Sequence, residues 1–376
     1  MSEIRVNTLG NESNTGGPVL SGITTFSGQQ YFIPPKGTTA ERPSDCPPGS
    51  IRFNTDSAHL EYWNGSVWLE FEASSEELSD QNNSNSSGGT GHRGLFGGGL
   101  APTASNVIQY ITISTAGNAQ DFGDLSLSDY AAASCSSSTR AIFGGGQSPG
   151  ADNVIEFVTF SSTGNVSDFG DLLQQNTQLA ACSSSTRGVF GGGYTPTINV
   201  IQYITIAAAG NAVDFGDLTS IRRNEGSCAS STRGLFGGGI TPGTTNSIDY
   251  ITISTLGNAV NFGNLTVARN NLASCSNSIR GLFGGGSPNT NVIDFITISS
   301  TGDAMDFGDL TQERRQISSC SSSTRGVWGG GYTAAPAVYD IIDYVTIAST
   351  GNSVDFGDLL SATQWLTACS NGHGGL

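Results

Sequence analysis

The stretch Arg280-Gly281-Leu282-Phe283-Gly284-Gly285-Gly286, followed by Asn291-Val292-Ile293-Asp294-Phe295-Ile296-Thr297-Ile298, decides the fold of this chain. Close copies of both pieces recur six times, and the residues that open them lie 45 to 47 positions apart. These opening residues are Arg93, Arg140, Arg187, Arg233, Arg280 and Arg325. A period of this length indicates a repeat architecture, in which one unit is too small to bury its apolar face alone.

Each period predicts four short β-strands and no helix. Asn291–Ile298 is rich in β-branched and aromatic residues, and the following Gly302-Asp303 is a hairpin-type turn signal. A third strand is predicted over Ala304–Leu310 and a fourth ending at Ser318–Ser321. Apolar side chains fall on both faces of the second strand, so both faces of the sheet must be covered. A β-propeller achieves this and leaves only short edges, with a linear β-solenoid as the alternative.

The repeat resembles the kelch repeat. The residues that carry the likeness are the Gly-Gly pair after a short apolar strand, a later acidic-aromatic pair, and an aromatic residue that opens the outer strand. The tryptophan usual at that last position is replaced by Phe122, Phe169, Phe215, Phe262, Phe307 and Phe356. The resemblance implies an all-β fold, with residues 93–376 as a six-bladed kelch-like β-propeller of four-stranded antiparallel blades. Kelch propellers serve unrelated functions, so this fold does not indicate one.

The first 92 residues differ from the repeats. Residues 1–72 are predicted to form an attachment region, and the Ser/Asn/Gly-rich residues 73–92 a flexible linker. The stretch Pro48–Leu69 reads as three strands with an Asn64-Gly65 turn, and it resembles a β-hairpin module of bacteriophage tail fibres. Met1–Asn7 resembles the start of marine cyanophage structural proteins. No apolar segment predicts a signal peptide or membrane span.

Charge limits the choice of partners. The chain has 15 Lys+Arg and 31 Asp+Glu residues, a net charge of −16 and a pI near 4.3. Such a chain lacks the basic surface that binds duplex DNA or an anionic membrane. We therefore predict no nucleic-acid partner and no membrane insertion.

Three repeated features could be structural or could form sites. The cysteines Cys135, Cys182, Cys228, Cys275, Cys320 and Cys369 lack zinc-type pairing and are interpreted as small buried residues between blades. The D-F-G-D element is interpreted as turn-stabilising, with calcium binding as the alternative, because the fourth copy is Asn261-Phe262-Gly263-Asn264. The repeat arginines are predicted to bond carbonyls of neighbouring blades or the D-F-G-D acids, and a ring of arginines lining a channel is the alternative.

Enzymatic activity is not predicted, and neither are catalytic residues, a metal or a cofactor. The only histidines are His59, His92 and His373, and none lies inside a repeat body. A serine-histidine-aspartate arrangement therefore lacks its base. A two-carboxylate glycosidase remains an alternative.

The variable connections between the repeats predict a recognition face. The turns S-S-S-T-R and G-N are nearly constant, whereas the connections after the second and fourth strands of a blade diverge. Variation in a loop on a fixed scaffold is typical of a binding surface, and aromatic residues and arginines dominate binding hot spots. The predicted recognition residues are Tyr130, Tyr194, Arg222, Arg223, Arg314, Arg315, Tyr332 and Trp365.

The two ends of the repeat region are complementary. The region begins with a second strand at Arg93, and a lone first strand follows the last full repeat at Leu366–Ser370. We predict that Leu366–Ser370 pairs antiparallel with Gly94–Gly97 and so completes the first blade.

The leading functional hypothesis is a bacteriophage virion protein, assembled in the host cytoplasm. In it, residues 1–72 bind other virion proteins, and the propeller binds a host-surface glycan or another virion component. A homo-oligomer, trimeric by analogy with fibres, is expected. A purely architectural nozzle, collar or decoration protein is the first alternative. A carbohydrate-active enzyme and a cellular adaptor are the others.

Overall fold

The computed structural model describes residues 34–57, 59–70, 92–147, 149–333 and 337–376. The chain divides into two compact units, Met1–Glu76 and Glu77–Leu376, which are described separately. The described residues contain no α-helix, only one 3₁₀ turn at Thr39–Glu41. Among them, no helix is long and apolar enough to cross a membrane. The predicted linker lies outside the described residues except for His92, as does Met1–Asn7.

The first unit contains a four-stranded sheet that includes the predicted hairpins. Its strands are β1 (Lys36–Gly37), β2 (Ile51–Asn54), β3 (His59–Trp63) and β4 (Trp68–Glu70). The pairs β2–β3 and β3–β4 are antiparallel, and β1 joins β2 in parallel. Glu61 is fully buried, and Arg42 and Asn54 donate hydrogen bonds to its carboxylate. These bonds lower the pKa of Glu61 and satisfy the buried charge.

The described part of the second unit forms six four-stranded antiparallel sheets, numbered 1 to 6 here, with strands given from first to fourth. Sheet 1 is β30 (Thr367–Ser370), β5 (Arg93–Gly97), β6 (Ser105–Thr112) and β7 (Gln120–Asp129). Sheet 2 is β8 (Ala133–Ser136), β9 (Arg140–Gly144), β10 (Asp152–Thr159) and β11 (Ser167–Asn176). Sheet 3 is β12 (Ala180–Ser183), β13 (Arg187–Gly191), β14 (Ile198–Thr205) and β15 (Val213–Arg222).

Sheets 4 to 6 repeat this design. Sheet 4 is β16 (Gly226–Ala229), β17 (Arg233–Gly237), β20 (Ser247–Thr252) and β21 (Val260–Asn264). Sheet 5 is β22 (Ala273–Ser276), β23 (Arg280–Gly284), β24 (Val292–Thr297) and β25 (Met305–Asp309). Sheet 6 is β26 (Ser318–Ser321), β27 (Arg325–Gly329), β28 (Ile341–Thr346) and β29 (Val354–Asp358). A small hairpin, β18 (Ile240–Thr241) with β19 (Gly243–Thr244), lies between β17 and β20.

The first strands of neighbouring sheets contact one another in the cyclic order β8, β12, β16, β22, β26, β30 and back to β8. The predicted closing pair forms, with Thr367 opposite Gly97 and Ser370 opposite Gly94 in antiparallel register. The all-β class and a propeller-like arrangement of four-stranded antiparallel sheets are thus confirmed.

One boundary within the repeat differs from the sequence prediction. The strand ending at Ser321 follows β25 in the chain but pairs with β27, so it is the first strand of sheet 6 rather than a fourth strand of sheet 5. Each sheet therefore combines the end of one repeat with the beginning of the next. The reason is that β26 and β27 are joined by a tight turn, in which Ser322 N donates to Arg325 O at 2.8 Å.

The Gly-Asn element is a link between sheets rather than a two-residue hairpin turn. Gly164 N donates to Phe122 O at 2.7 Å, and Asn165 Oδ1 accepts from Asp124 N at 3.1 Å. A Cβ added to Gly123, which has a φ of 153°, would lie 2.2 Å from Gly164 O. The glycine of D-F-G-D is therefore required because the loop of the next sheet packs directly on it.

The apolar core lies between neighbouring sheets. One cluster joins Cys135 and Ile142 of sheet 2 with Phe190 and Ile204 of sheet 3. The repeated cysteines are buried free thiols, as the sequence predicts. A Cβ added to Gly188 would lie 2.5 Å from Cys135 Sγ, so the glycine after the repeat arginine makes room for the thiol. Burial raises the pKa of Cys182 to about 12, which keeps its thiol protonated at neutral pH.

The repeat arginines bond the carbonyl groups of neighbouring sheets, which confirms the first of the two interpretations. Arg93 Nη1 donates to Phe160 O at 2.6 Å, and the guanidinium carbon lies 4.9 Å from the ring centroid of Tyr110. The same pair of contacts recurs around the second unit.

Candidate functional site

The variable connections meet on one face of the second unit, which we call the loop face. In each of the six sheets, a residue of the connection that leads to the first strand pairs with the residue that follows the triple glycine of that same sheet. The bridged pairs are Leu100–Gln364, Tyr130–Gln147, Thr177–Tyr194, Arg223–Ile240, Asn270–Ser287 and Arg315–Tyr332. The sequence difference between repeats is thus concentrated at paired positions around one face.

Two arginine–aromatic pairs form on the loop face. Arg223 stacks on Tyr194 with its guanidinium carbon 4.1 Å from the ring centroid, and Tyr194 is 43% exposed. Arg315 lies 5.1 Å from the ring of Tyr332, and both residues are half-buried. Such stacking holds a flexible arginine in one orientation. In Arg315, Nη1 also donates to Ser287 Oγ at 3.3 Å. The half-buried Tyr130 lies at the position equivalent to Arg223 and Arg315.

Arg222 and Arg314 are not on the surface, which corrects the sequence prediction for these two residues. Both are fully buried, in ion pairs with Asp249 at 3.2 Å and Asp343 at 2.5 Å. Arg269 forms the equivalent pair with Asp294 at 3.0 Å. Each arginine also donates to backbone carbonyls of the next sheet. A buried charge requires such a partner. These paired side chains therefore stabilise the packing of the sheets beneath the loop face.

The equivalent interface between sheets 1 and 2 contains acids instead of an ion pair. Asp129 occupies the position of the buried arginine, and Glu156 occupies that of its aspartate partner. Asp152 lies beside Asp129. Burial and the neighbouring Asp152 raise the pKa of Asp129 to about 7. Glu156 accepts hydrogen bonds from the hydroxyl and backbone nitrogen of Ser126.

The centre of the loop face is a ring of six residues, one from each sheet, which we call the amide mouth. It consists of Ala131, Gln178, Asn224, Asn271, Gln316 and Trp365, all with φ between 55° and 57°. Each backbone nitrogen donates to the carbonyl of the preceding member at 2.9–3.0 Å, and Ala131 closes the circle onto Trp365. The ring surrounds a cavity of about 70 Å³. Trp365 lines this cavity, so it lies at the axis of the loop face.

The opposite end of the first strands is closed by the protein itself, and we call it the serine mouth. Its hydroxyls bond the carbonyls of the preceding sheet at 2.5–2.8 Å, and the donors are Ser136, Ser183, Ser276, Ser321 and Ser370. Ala229 takes the sixth place. His373 packs across this mouth, and its Nε2 lies 3.0 Å from Ser136 O. Burial lowers the pKa of His373 to about 4, so the imidazole is neutral.

Between the two mouths, a cavity of about 140 Å³ is lined by all six first strands. Glu225 contacts both this cavity and that of the amide mouth. In the described part of the chain, no three side chains of the His, Cys, Asp or Glu types are grouped to hold a metal. The axial groups are mainly amides, hydroxyls and one carboxyl.

Sequence reasoning missed the amide mouth and the three buried ion pairs. A signal for the first was present, because four of the six repeats place Asn or Gln two residues before the first strand. No protein-family model matches the chain, and no curated protein matches it.

Proposed function

We propose that residues 93–376 form a closed six-bladed kelch-like β-propeller, and that the protein is a bacteriophage virion component whose loop face binds a host-surface glycan. The cyclic contacts of the first strands and the pairing of β30 with β5 support the closure. The resemblance of residues 48–69 to a tail-fibre module supports the virion role. Residues 1–72 would attach the protein to other virion proteins, as a homo-oligomer.

The observation that carries the binding role is the convergence of the arginine–aromatic pairs and the amide mouth on one face. Tyr194 and Trp365 offer flat apolar rings, while Arg223 and Arg315 offer directed donors. Ligand sites commonly combine aromatic surface with a few convergent polar groups. A glycan suits this combination because each sugar has an apolar ring face and hydroxyls along its edge. The opposite face lacks such variety, since its turns are nearly constant in sequence.

The test is binding of the full-length protein to host cells and to isolated host-surface glycans. Replacing Tyr194, Arg223, Arg315 and Tyr332 together by alanine should reduce binding at least tenfold, a loss of about 1.4 kcal/mol or more. The matched control replaces exposed residues of the constant turns on the opposite face, Leu256 and Ile279, by alanine. This control should bind like the unchanged protein.

Equal binding by both variants would contradict glycan recognition by the loop face. A protein that binds no host glycan, but is found in virions, would support the architectural role instead. Absence of the protein from purified virions would contradict both the glycan-binding role and the architectural role.

A further inference from the structure

Glu225 occupies a position where no other sheet has a charged residue. It directly precedes the first strand of sheet 4 and is only 6% exposed. The equivalent residues are Ala132, Leu179, Leu272, Ile317 and Leu366. Four of these are large apolar residues, which pack at the triple-glycine turns of neighbouring sheets. The repeat itself gives no structural reason for an acid at this position.

Neither carboxylate oxygen of Glu225 accepts a hydrogen bond from another described residue. Two charged groups face it, Arg222 and Asp249, which are paired with each other. Burial outweighs the nearby Arg222 and raises the pKa of Glu225 to about 8. Buried carboxyl groups are normally hydrogen-bonded, because an unsatisfied polar group destabilises the folded state. A group that is kept unpaired in this way is a candidate ligand for something that the protein binds.

Four further oxygen atoms around the same cavity are also without partners among the described residues. They are the side-chain carbonyl oxygens of Gln178, Asn224, Asn271 and Gln316. Five oxygen-bearing side chains from four sheets, the four amides and the one carboxyl, therefore line the cavity at the axis. Amide carbonyl oxygens accept hydrogen bonds or bind cations, and the oxygens of Glu225 do the same once its carboxyl has lost its proton. These unpartnered oxygens therefore favour a positive charge over an anion.

We propose that the amide mouth and Glu225 form an axial binding site for a hard cation of the calcium class. Calcium takes six to eight oxygen ligands, which can include amide and backbone carbonyls as well as carboxylates. The ring places one member of each sheet around a cavity of about 70 Å³, a size suited to one ion with a small number of water molecules. With a single carboxylate, the affinity falls in the weak range, with a Kd of about 10⁻⁴–10⁻³ M.

This site does not depend on the proposed virion role or on glycan binding. It is located where the first strands converge, so an ion bound by these oxygens would link sheets 3 to 6. Binding to the folded state alone stabilises that state in proportion to the ion concentration. We therefore expect thermal stability to report occupancy directly.

The first test is thermal unfolding of the full-length protein with and without CaCl₂, at constant ionic strength set by NaCl. Calcium at about 100 times its Kd should raise Tm by about 5 °C. Glu225→Leu, which installs the leucine found at the equivalent position of sheets 1, 3 and 5, should raise Tm without calcium and lose the calcium response. Glu313→Gln, at an exposed acid away from the axis, is the matched control and should keep the response.

A second variant keeps the test valid if Glu225→Leu fails to fold. Asn271→Gly removes one amide oxygen but suits the φ of 55°, so it should fold and should weaken the calcium response severalfold. Terbium luminescence provides a second readout, because Trp365 lines the cavity and can sensitise a bound Tb³⁺ ion. The proposal would be overturned if calcium raised the Tm of both Glu225→Leu and Asn271→Gly as much as that of the unchanged protein. It would also be overturned if calcium at ten times the upper end of the expected Kd range left the Tm of the unchanged protein the same.

Discussion

The amide mouth and the serine mouth lie at opposite ends of the same six first strands, but their polar side chains differ in hydrogen bonding. At the serine mouth, hydroxyls are paired with neighbouring carbonyls, and His373 covers the end. At the amide mouth, the backbone is fully paired, but four amide oxygens and Glu225 are not. Satisfied polar groups hold the sheets in place, whereas unsatisfied ones are suited to bind something else.

This difference gives the two ends separate roles. The serine mouth and the closing strand maintain the ring, and the amide mouth is the end available for recognition. Changes at the first should therefore affect folding, and changes at the second should affect binding.

Removing residues 365–376 should prevent stable folding of the second unit. The deletion removes β30, which leaves β5 without its partner, and it removes Leu366 from the core around Phe96. Each buried backbone group left unpaired costs about 1–3 kcal/mol, so several together exceed the stability of an ordinary domain. Circular dichroism and thermal unfolding would measure the loss.

The matched control removes only residues 371–376, which retains β30 but uncovers the serine mouth. It should fold and melt at a lower temperature than the full chain. If the longer deletion melted at the same temperature as the full chain, the ring would not depend on this closing strand.

Arg314→Met should destabilise the second unit by about 3–5 kcal/mol, because it leaves the buried Asp343 without its cation. The guanidinium also donates to Gly330 O and Ile341 O, each at 2.8 Å, and these bonds are lost as well. Chemical denaturation would measure the change.

The neighbouring Arg315→Met is the control, since its side chain lies on the loop face and stacks on Tyr332. It should change stability by less than about 1 kcal/mol. Similar losses in the two variants would show that the buried and surface arginines of this loop do not have separate roles.

These two adjacent arginines also show where sequence reasoning reaches its limit. The period of the repeat was sufficient to predict four-stranded sheets and the pairing of β30 with β5, because both follow from strand spacing. It could not separate Arg314 from Arg315, since both fall in a variable, polar connection. Their difference depends on Asp343, which lies on a strand of another sheet and approaches only when the sheets pack together. The convergence of the amide oxygens was hidden for the same reason.

The serine mouth should lose stability in acid because His373 is held neutral. Its pKa is lowered to about 4 in the folded state, against about 6.5 in an unfolded chain. Its contribution is therefore complete above about pH 6.5 and is lost as the pH falls through about 4. His373→Gln, which retains a hydrogen-bonding side chain, should show a smaller drop in Tm over this range.

Two acids act in the opposite direction. The pKa values of Asp129 and Glu225 are raised to about 7 and about 8, so their contributions are lost as the pH rises through these values. The comparison must therefore use the difference between His373→Gln and the unchanged protein at each pH. A difference that does not vary between about pH 7 and pH 4 would contradict a neutral, buried His373.

The smallest expected effect is that of a single hydroxyl in the serine mouth. Ser321 Oγ donates to Ser276 O at 2.8 Å and accepts from Ser276 N at 3.3 Å. Ser321→Ala should cost about 1 kcal/mol, the net value of an ordinary hydrogen bond.

The chain already contains alanine at the equivalent Ala229, where Gly375 packs against the Ser183 carbonyl that a serine would otherwise bond. The ring therefore accommodates one position without a hydroxyl, where the covering segment packs close to the carbonyl. Ser323→Ala, on the exposed turn of the same sheet, is the control and should change stability by less than about 0.5 kcal/mol. A loss above about 3 kcal/mol for Ser321→Ala would mean that the hydroxyls act as one cooperative network. In that case, a change at the serine mouth would cost as much stability as the loss of a buried ion pair. The difference between the two mouths would then need another physical explanation.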